Sequence, residues 1–352
     1  MEEGHTKERL RALQALPLER KIGFTIARIV EWHTHYNGKV YVSFSGGKDS
    51  TVLLDIARGL FPDIKAMFVD TGLEYPEIRE FVKTFDNVDI VRPKMSFKQV
   101  IETYGYPVVS KEVAECIYGA RKSDGTNYLY RLQKLNGVFK DKNGNPSRWD
   151  FSRHKYLMDA PFKISNKCCD VMKKAPANAY TKSTGMYPII ATMADESFLR
   201  ESTWIRQGCN AFDSKHPKSA PMSFWTEQDV LKYIKLKNLP IASVYGRIES
   251  DTQRERERER ERLHTTGCSR TGCVFCLFGL RQDKPQNRIQ RLALTHPKLH
   301  DYCVNKLGLK EVMEFMGDSY IPERTVYNAI LAKQHGSMDY YNQLTLNKGE
   351  TK

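Results

Sequence analysis

The chain has 352 residues, of which 40% are hydrophobic and 28% charged, with 16 Phe and 18 Tyr. That is enough apolar material for a real core and excludes wholesale disorder, while 22 Gly and 15 Pro exclude a collagen-like or low-complexity chain. No apolar run approaches the roughly 20 residues needed to cross a bilayer, so no membrane partner is expected. The net charge is +13, from 55 Lys and Arg against 42 Asp and Glu. It favours anionic partners, a small phosphorylated ligand first, then nucleic acid or an acidic protein surface. At about 100–200 residues per domain, two units are expected, or one enlarged α/β domain with an appendage. The charged N-terminal stretch lacks a secretory pattern, so a cytoplasmic location is expected. Eight Cys in that setting argue for metal or redox chemistry rather than a disulfide framework.

Residues 6–36 have apolar positions at helical spacing, with Pro17 as a break, and Asn37-Gly38 ends the run. Residues 39–44 read as a short strand, followed by a Gly-containing turn and a helix opening at Asp49. Residues 64–70 read as strand, 75–85 as helix, 88–91 as strand and 97–104 as helix. This alternation predicts parallel β-α-β units. The fold class expected is a mostly parallel twisted α/β sheet with helices on both faces, plus a Cys-containing, mainly helical C-terminal segment. The pattern blurs from 105 to 165, where 141–146 form a turn-rich insertion. Residues 187–192 read as strand and 226–237 as a helix with a Thr-x-x-Asp start. Three segments are expected: 1–37 helical, 38–250 nucleotide-binding, and 251–352 carrying a charged arm, a Cys motif and helices. Arg254–Arg262 alternates Arg with Glu. A helix would set like charges four apart, whereas an extended ribbon would put each sign on its own face. A solvated arm is the plain reading, and an Arg face that meets phosphate is the functional one.

The string Ser45-Gly46-Gly47-Lys48-Asp49-Ser50 lies between a predicted strand and a predicted helix. Two glycines allow a tight turn and close approach to an anion. The helix N-terminus then aims N–H groups at the anion, and Lys48 adds a point charge. A Walker A loop would have Ser or Thr after the lysine, but Asp49 stands there. The string resembles the PP-loop of the ATP pyrophosphatases, a group that includes adenylating enzymes and phosphoadenosine phosphosulfate (PAPS) reductases. Asp70-Thr71-Gly72, followed by Pro76-Glu77, resembles a second string of the PAPS-reductase-like proteins. The resemblance implies an adenine nucleotide, ATP or APS/PAPS, across the carboxyl ends of a parallel sheet. Ser45 through Ser50 would hold its phosphates, with Mg²⁺ accompanying ATP. Asp70, Thr71 and Gly72 would lie at the ribose, adenine or metal, although Asp70 reads equally well as a turn residue.

Cys168-Cys169, with Lys173 and Pro176 following, resembles the Cys-Cys string of adenylylsulfate (APS) reductases, and Gly272-Cys273-Val274-Phe275-Cys276 resembles their downstream Gly-Cys-x-x-Cys. In that group these four thiolates hold a [4Fe–4S] cluster, and the resemblance implies one here on Cys168, Cys169, Cys273 and Cys276. Four thiolates suit a cubane, with Phe275, Leu277 and Phe278 as an apolar shell. Zinc is the runner-up, and a set that recruits Cys268 is an alternative. Cys116, Cys209 and Cys303 fit the plainer role of buried small hydrophobes.

Three departures divide the resemblance. Residues 191–200 match the reductase string G-x-R-x-x-x-S-x-x-x-R only in part: Ala191 replaces Gly, Met193 replaces the first Arg, and Ser197 with nearby Arg200 remains. No Glu-Cys-Gly-Leu-His string occurs after Cys303. The loop is the complete form of enzymes that split ATP between its α and β phosphates. The expected function is an enzyme of sulfur chemistry, ATP-dependent activation and sulfur transfer first, with Lys48, Asp49 and Arg200 as catalytic candidates. Genuine PAPS or APS reduction is the alternative, and a nucleotide-sensing or nucleic-acid-binding accessory protein is the reading from another class. Expected partners are the nucleotide, an electron or sulfur donor protein, and nucleic acid or a protein as acceptor.

Overall fold

A computed structural model describes residues 5–123, 125, 127–255, 258–284 and 286–323, without the side chains of 252–261. The strands in chain order are β1 (Val40–Ser43), β2 (Lys65–Val69), β3 (Val88–Val91), β4 (Val108–Val109), β5 (Tyr187–Ile189), β6 (Asn210–Ala211), β7 (Lys218–Ser219), β8 (Ile248–Glu255), β9 (Arg258–Thr265) and β10 (Leu277–Phe278). The chain divides into two compact units that interleave along the sequence. One comprises residues up to Pro93 with Ala175–Thr271, the other Lys94–Lys174 with the described residues from Gly272 on.

The first unit carries a six-stranded sheet in the order β3-β2-β1-β5-β7-β6. All neighbours are parallel except the antiparallel β6–β7 edge pair. This is the expected α/β class. Strand order reverses at β1, which has β2 on one side and β5 on the other, so the carboxyl end of β1 opens onto a topological switch point. The predicted early elements are in place: the break at Pro17 separates helices Lys7–Gln14 and Leu18–His35, and helix Lys48–Leu60 follows β1. That helix buries Val52, Leu53, Leu54 and Ala57 in one core with Val42, Ala66 and Ile189 of the sheet. Near-continuous apolar strands are what a sheet covered on both faces requires. Two two-residue strands, β6 and β7, carry too little pattern to be read from sequence.

Helix Leu18–His35 is pinned to helix Glu227–Lys237 by a buried charge pair. Lys21 Nζ lies 2.6 Å from Asp229 Oδ2, with Lys21 2% exposed. The same carboxylate oxygen accepts from the Thr226 N–H and hydroxyl, both at 2.7 Å, closing the capping box expected from Thr-x-x-Asp. One oxygen therefore starts the second helix and ties it to the first. β8 and β9 form an antiparallel hairpin that sets Arg254 opposite Glu259 and Glu255 opposite Arg258. The extended alternative for the Arg-Glu run is thus the one adopted. Its register sets Asp251 opposite Arg262 as well, while Arg260 lies opposite Gln253. The hairpin base is held by Gln228, whose side chain exchanges two hydrogen bonds with the Leu263 backbone, at 2.8 and 2.9 Å.

In the second unit β4 pairs in parallel with β10, joining residues far apart in sequence. Helices Phe97–Tyr104, Lys111–Ala120, Tyr128–Leu135, Arg288–Thr295 and Leu309–Met316 supply most of the rest. The segment between 121 and 162 is closed at its base by Arg121. Its guanidinium donates to the carbonyls of Leu157, Ala160 and Phe162, at 2.6, 2.9 and 2.6 Å. No helix among the described residues is long and apolar enough to cross a membrane.

Removing one partner of a buried pair leaves the other charge uncompensated. Lys21→Met is therefore expected to cost about 3–5 kcal/mol of stability, read from urea unfolding midpoints. A loss below about 1 kcal/mol would show that the pair does not tie the two helices.

Candidate functional site

β1 delivers the chain into the turn Phe44–Gly47, and helix Lys48–Leu60 starts at once. Gly46 has φ +69°, and a Cβ there would lie 2.8 Å from Val82 Cγ2 and 2.9 Å from Ile78 Cγ2. Glycine is therefore demanded twice, by conformation and by space. The turn is braced internally. The Ser45 N–H donates to Ser50 Oγ at 3.1 Å, and the Gly47 N–H donates to Ser45 Oγ at 3.3 Å. The Ser50 and Thr51 hydroxyls both donate to the Gly47 carbonyl, at 2.9 and 3.0 Å.

Lys48 is the unusual member. Its side chain is buried, with Nζ 3.1 Å from Glu227 Oε1 and 5.3 Å from the centre of the Tyr245 ring. A carboxylate and a π-face together make a buried ammonium tolerable. Burial pushes the Tyr245 phenol up to about 12, opposed by hydrogen bonds to Thr271, 2.5 Å away, and to the Lys48 backbone N–H. The Tyr245 hydroxyl thus lies close to the first N–H of the helix. Burial also raises the Asp49 pKa, with Lys48 opposing it, Glu227 adding to it, and Arg270 and Arg200 opposing it. Arg200 therefore belongs to the electrostatic surroundings of the loop. Its own pKa is lowered by desolvation and by Arg270, against the attraction of Asp49, and its guanidinium pairs with Glu196.

At the carboxyl end of β2, Asp70 is buried and receives two guanidiniums. Arg79 reaches it through Nε at 3.1 Å and Nη2 at 3.2 Å, and Arg92 Nε at 3.2 Å. The Gly72 N–H also donates to it, at 3.3 Å. Thr71 is tied to Glu74 through its N–H and its hydroxyl, at 3.1 and 2.7 Å. Farther on, Met193 is buried in the core and Ser197 caps helix Phe198–Gln207, accepting the Arg200 N–H.

The second unit holds the paired cysteines. Cys168 and Cys169 end helix Lys167–Cys169, which runs into a π turn at Asp170–Lys174. Cys168 is pushed up by the hydrogen bond it donates to Cys169, then by burial and by the sulfurs of Cys169, Cys276 and Cys273. The same hydrogen bond holds Cys169 down to about 6 against its burial, with Lys111, Lys173 and Lys174 adding positive charge. Cys276, just before β10, is raised to about 11 by burial and by Cys273. The four thiols thus share one electrostatic neighbourhood. They do not close into a metal-holding set: among the described residues no three His, Cys, Asp or Glu side chains do. Phe275 and Leu277 are buried beside them in sequence, with Phe275 facing Phe97 and Tyr302. Cys268 lies in the first unit, beside Tyr245. Cys116 and Cys303 are buried thiols, and Cys209 shares a 3.3 Å contact with the Ser223 hydroxyl.

Glu227, Tyr245, Arg270 and the two arginines on Asp70 were not among the residues singled out by sequence. Each comes from a distant segment or an unmarked turn. The Pro76-Glu77 helix start was the one available signal for Arg79.

Fold and loop together define an α/β protein with a tight glycine turn at the carboxyl end of its first strand. The family description "Phosphoadenosine phosphosulfate reductase domain" matches residues 39–117 and 126–278, and the chain belongs to this family. It is similar to an adenosine 5'-phosphosulfate reductase of Staphylococcus haemolyticus, 24% identical over 220 residues, which cover 62% of this chain and 70% of that protein. An uncharacterized protein of Methanocaldococcus jannaschii is 35% identical over 123 residues, 34% of this chain. The match spans only 29% of that archaeal protein. A solved phosphoadenylyl-sulfate reductase from Candida auris, in a phosphate complex, aligns with a TM-score of 0.35 and 14% identity over 68% of this chain and 90% of that one.

Gly46→Ala is expected to lower stability, by about 1–2 kcal/mol for the left-handed backbone alone, and to weaken ATP and PAPS binding more than tenfold by calorimetry. Gly47→Ala, at φ −79°, should cost much less stability. Equal effects of the two would show that the bend does not depend on Gly46.

Proposed function

We propose that this chain is an adenine-nucleotide enzyme of sulfur chemistry that activates an acceptor with ATP and then transfers sulfur to it. The observation that carries the reading is the complete Ser-Gly-Gly-Lys-Asp-Ser loop at the end of β1, with the Lys48 ammonium buried at its mouth. An acceptor oxygen attacks the α phosphorus, the bond to the β phosphate breaks, and pyrophosphate leaves. The Gly47 and Lys48 N–H groups and the Lys48 ammonium would take the charge that develops on the leaving group. For this, a phosphate oxygen replaces the Tyr245 hydroxyl at the Lys48 N–H. Asp49 draws Arg200 and Arg270 toward the loop, where a guanidinium suits an α-phosphate oxygen. Asp70, with Thr71 and Gly72, lines the ribose side, its charge offset by Arg79 and Arg92. Mg²⁺ would enter with the nucleotide.

Sulfur handling is assigned to Cys168, Cys169, Cys273 and Cys276, with a [4Fe–4S] cluster as the group held. Four thiols in one neighbourhood are the donor type a cluster takes, Lys111, Lys173 and Lys174 would offset its negative charge, and the four would have to draw closer together to hold it. When bound, the cluster would supply electron or sulfur transfer, fed by a donor protein. Zinc uses the same donors and is the competing occupant.

A second reading, reduction of APS or PAPS with release of sulfite, is favoured by the names of the bacterial relatives. Against it, Met193 is packed in the core at the position where the reductase string carries Arg. One assay separates the two. Incubation with ATP and candidate acceptors should release pyrophosphate, and Lys48→Ala should reduce that release at least tenfold. Sulfite from PAPS or APS with a thiol reductant, and no pyrophosphate, would establish the reductase reading. Tight nucleotide binding with neither product would make the chain an accessory protein.

Anaerobically purified protein is expected to be brown, with about four iron and four sulfide per chain, and Cys273→Ser to bleach it. A colourless wild type with stoichiometric zinc would replace the cluster with a structural zinc.

A further inference from the structure

The first residues of helix Glu227–Lys237 divide into those that anchor the helix and one that does not. Thr226 caps it, accepting the Asp229 N–H. The Gln228 side chain is engaged by the Leu263 backbone, and Asp229 by Lys21 and Thr226. Farther along, the Tyr233 hydroxyl donates to Asp55 Oδ2 at 2.8 Å, tying this helix to helix Lys48–Leu60. Glu227 is outside this scaffold. Its side chain crosses to the loop, where Oε1 lies 3.1 Å from Lys48 Nζ.

The pair is lopsided. The lysine side chain is 5% exposed and the glutamate side chain 45%. A buried ammonium needs a counter-charge, whereas an exposed carboxylate can turn to water at little cost. Compare Asp229, which holds the other buried lysine: it is itself buried and has the Thr226 N–H and hydroxyl as further partners. That carboxylate is fixed, and Glu227 is exchangeable. Glu227 also acts on its neighbour in the loop. Burial raises the Asp49 pKa, Lys48 opposes this, and Glu227 adds to it. Two carboxylates thus share the field at the loop, where both oppose the entry of a polyphosphate.

A phosphate at the loop would draw on the ammonium that Glu227 holds. Held also by N–H groups at the helix N-terminus, it is the stronger partner of the two. We propose that Glu227 is a positioning residue that phosphate displaces. Its carboxylate holds the Lys48 ammonium in place, competes with the nucleotide for it, and turns to solvent once phosphate binds. By returning to Lys48 it speeds the release of pyrophosphate. This rests on the reading of the loop as the site of ATP's phosphates.

The test is calorimetry of the full chain with ATP and with inorganic pyrophosphate, each with and without Mg²⁺. Glu227→Gln should fold, because Thr226, Gln228, Asp229 and Tyr233 anchor the helix and the amide oxygen still accepts from Lys48. It should bind both ligands about threefold tighter or more, with slower dissociation by stopped flow. Glu227→Asp keeps the charge and should bind as the wild type does. In thermal unfolding, Glu227→Gln should melt below the wild type alone but no lower than it with saturating pyrophosphate. A purely structural residue would not give that recovery. Equal or weaker binding by Glu227→Gln, beside a wild type that binds, would overturn this proposal alone. Weaker binding confined to Mg²⁺ would make Glu227 a metal ligand instead. Tightening by Glu227→Asp as large as by Glu227→Gln would equally refute a role for the charge. A wild type that binds neither ATP nor pyrophosphate fails the reading of the loop, and this proposal falls with it.

Discussion

A buried ammonium at the mouth of a parallel sheet is the constraint around which the first unit is arranged. Lys48 sits where the helix dipole is positive, a position that by itself disfavours a cation. The structure offsets this with Glu227 and the Tyr245 ring, both from a segment nearly 200 residues later in the chain. That segment is placed by another buried charge pair, because Asp229, two residues after Glu227, holds Lys21. Two buried lysines thus share one helical turn as their counter-charge. An anion at the loop, such as the phosphate we propose, would relieve the unfavourable geometry at Lys48.

Much of this was legible in the chain itself. Strand-helix alternation from 39 to 104 shows because each strand is mostly apolar and each helix has a clear apolar stripe. The Gly46 turn shows because a glycine pair between such elements has few other uses. What did not show follows from distance and brevity. Tyr245 stands in a one-turn 3₁₀ segment with no periodicity around it, and β6 and β7 have two residues each. Asp70 was legible as a strand-end carboxylate, but Arg79 and Arg92 as its partners were not, since nothing in spacing alone selects them. Met193 is instructive in the other direction. Its mismatch to the reductase string is visible in sequence, and the structure adds that the side chain is core, so the position no longer offers a charge to substrate.

The thiols follow a different logic. Adjacent cysteines on a one-turn helix and a Cys-x-x-Cys before β10 are more than 100 residues apart, and the β4–β10 pairing belongs to the same unit as both. Cys168 is pushed up and Cys169 held down by the hydrogen bond between them, and Cys276 is raised by burial. Such a group is reactive toward oxidants and soft metals alike. As bare thiols the group would serve no evident packing purpose, unlike Cys116 and Cys303, which are buried in the manner of small hydrophobes.

The central claim is that the Lys48 turn grips the phosphate tail of an adenine nucleotide. Its most direct test is a crystal structure with a non-hydrolysable ATP analogue. The account predicts phosphate oxygens at the Gly47 and Lys48 N–H groups, Lys48 Nζ turned toward them, and the Tyr245 hydroxyl displaced. An analogue bound elsewhere, with the Tyr245 hydroxyl still against Thr271 and the loop, would contradict it.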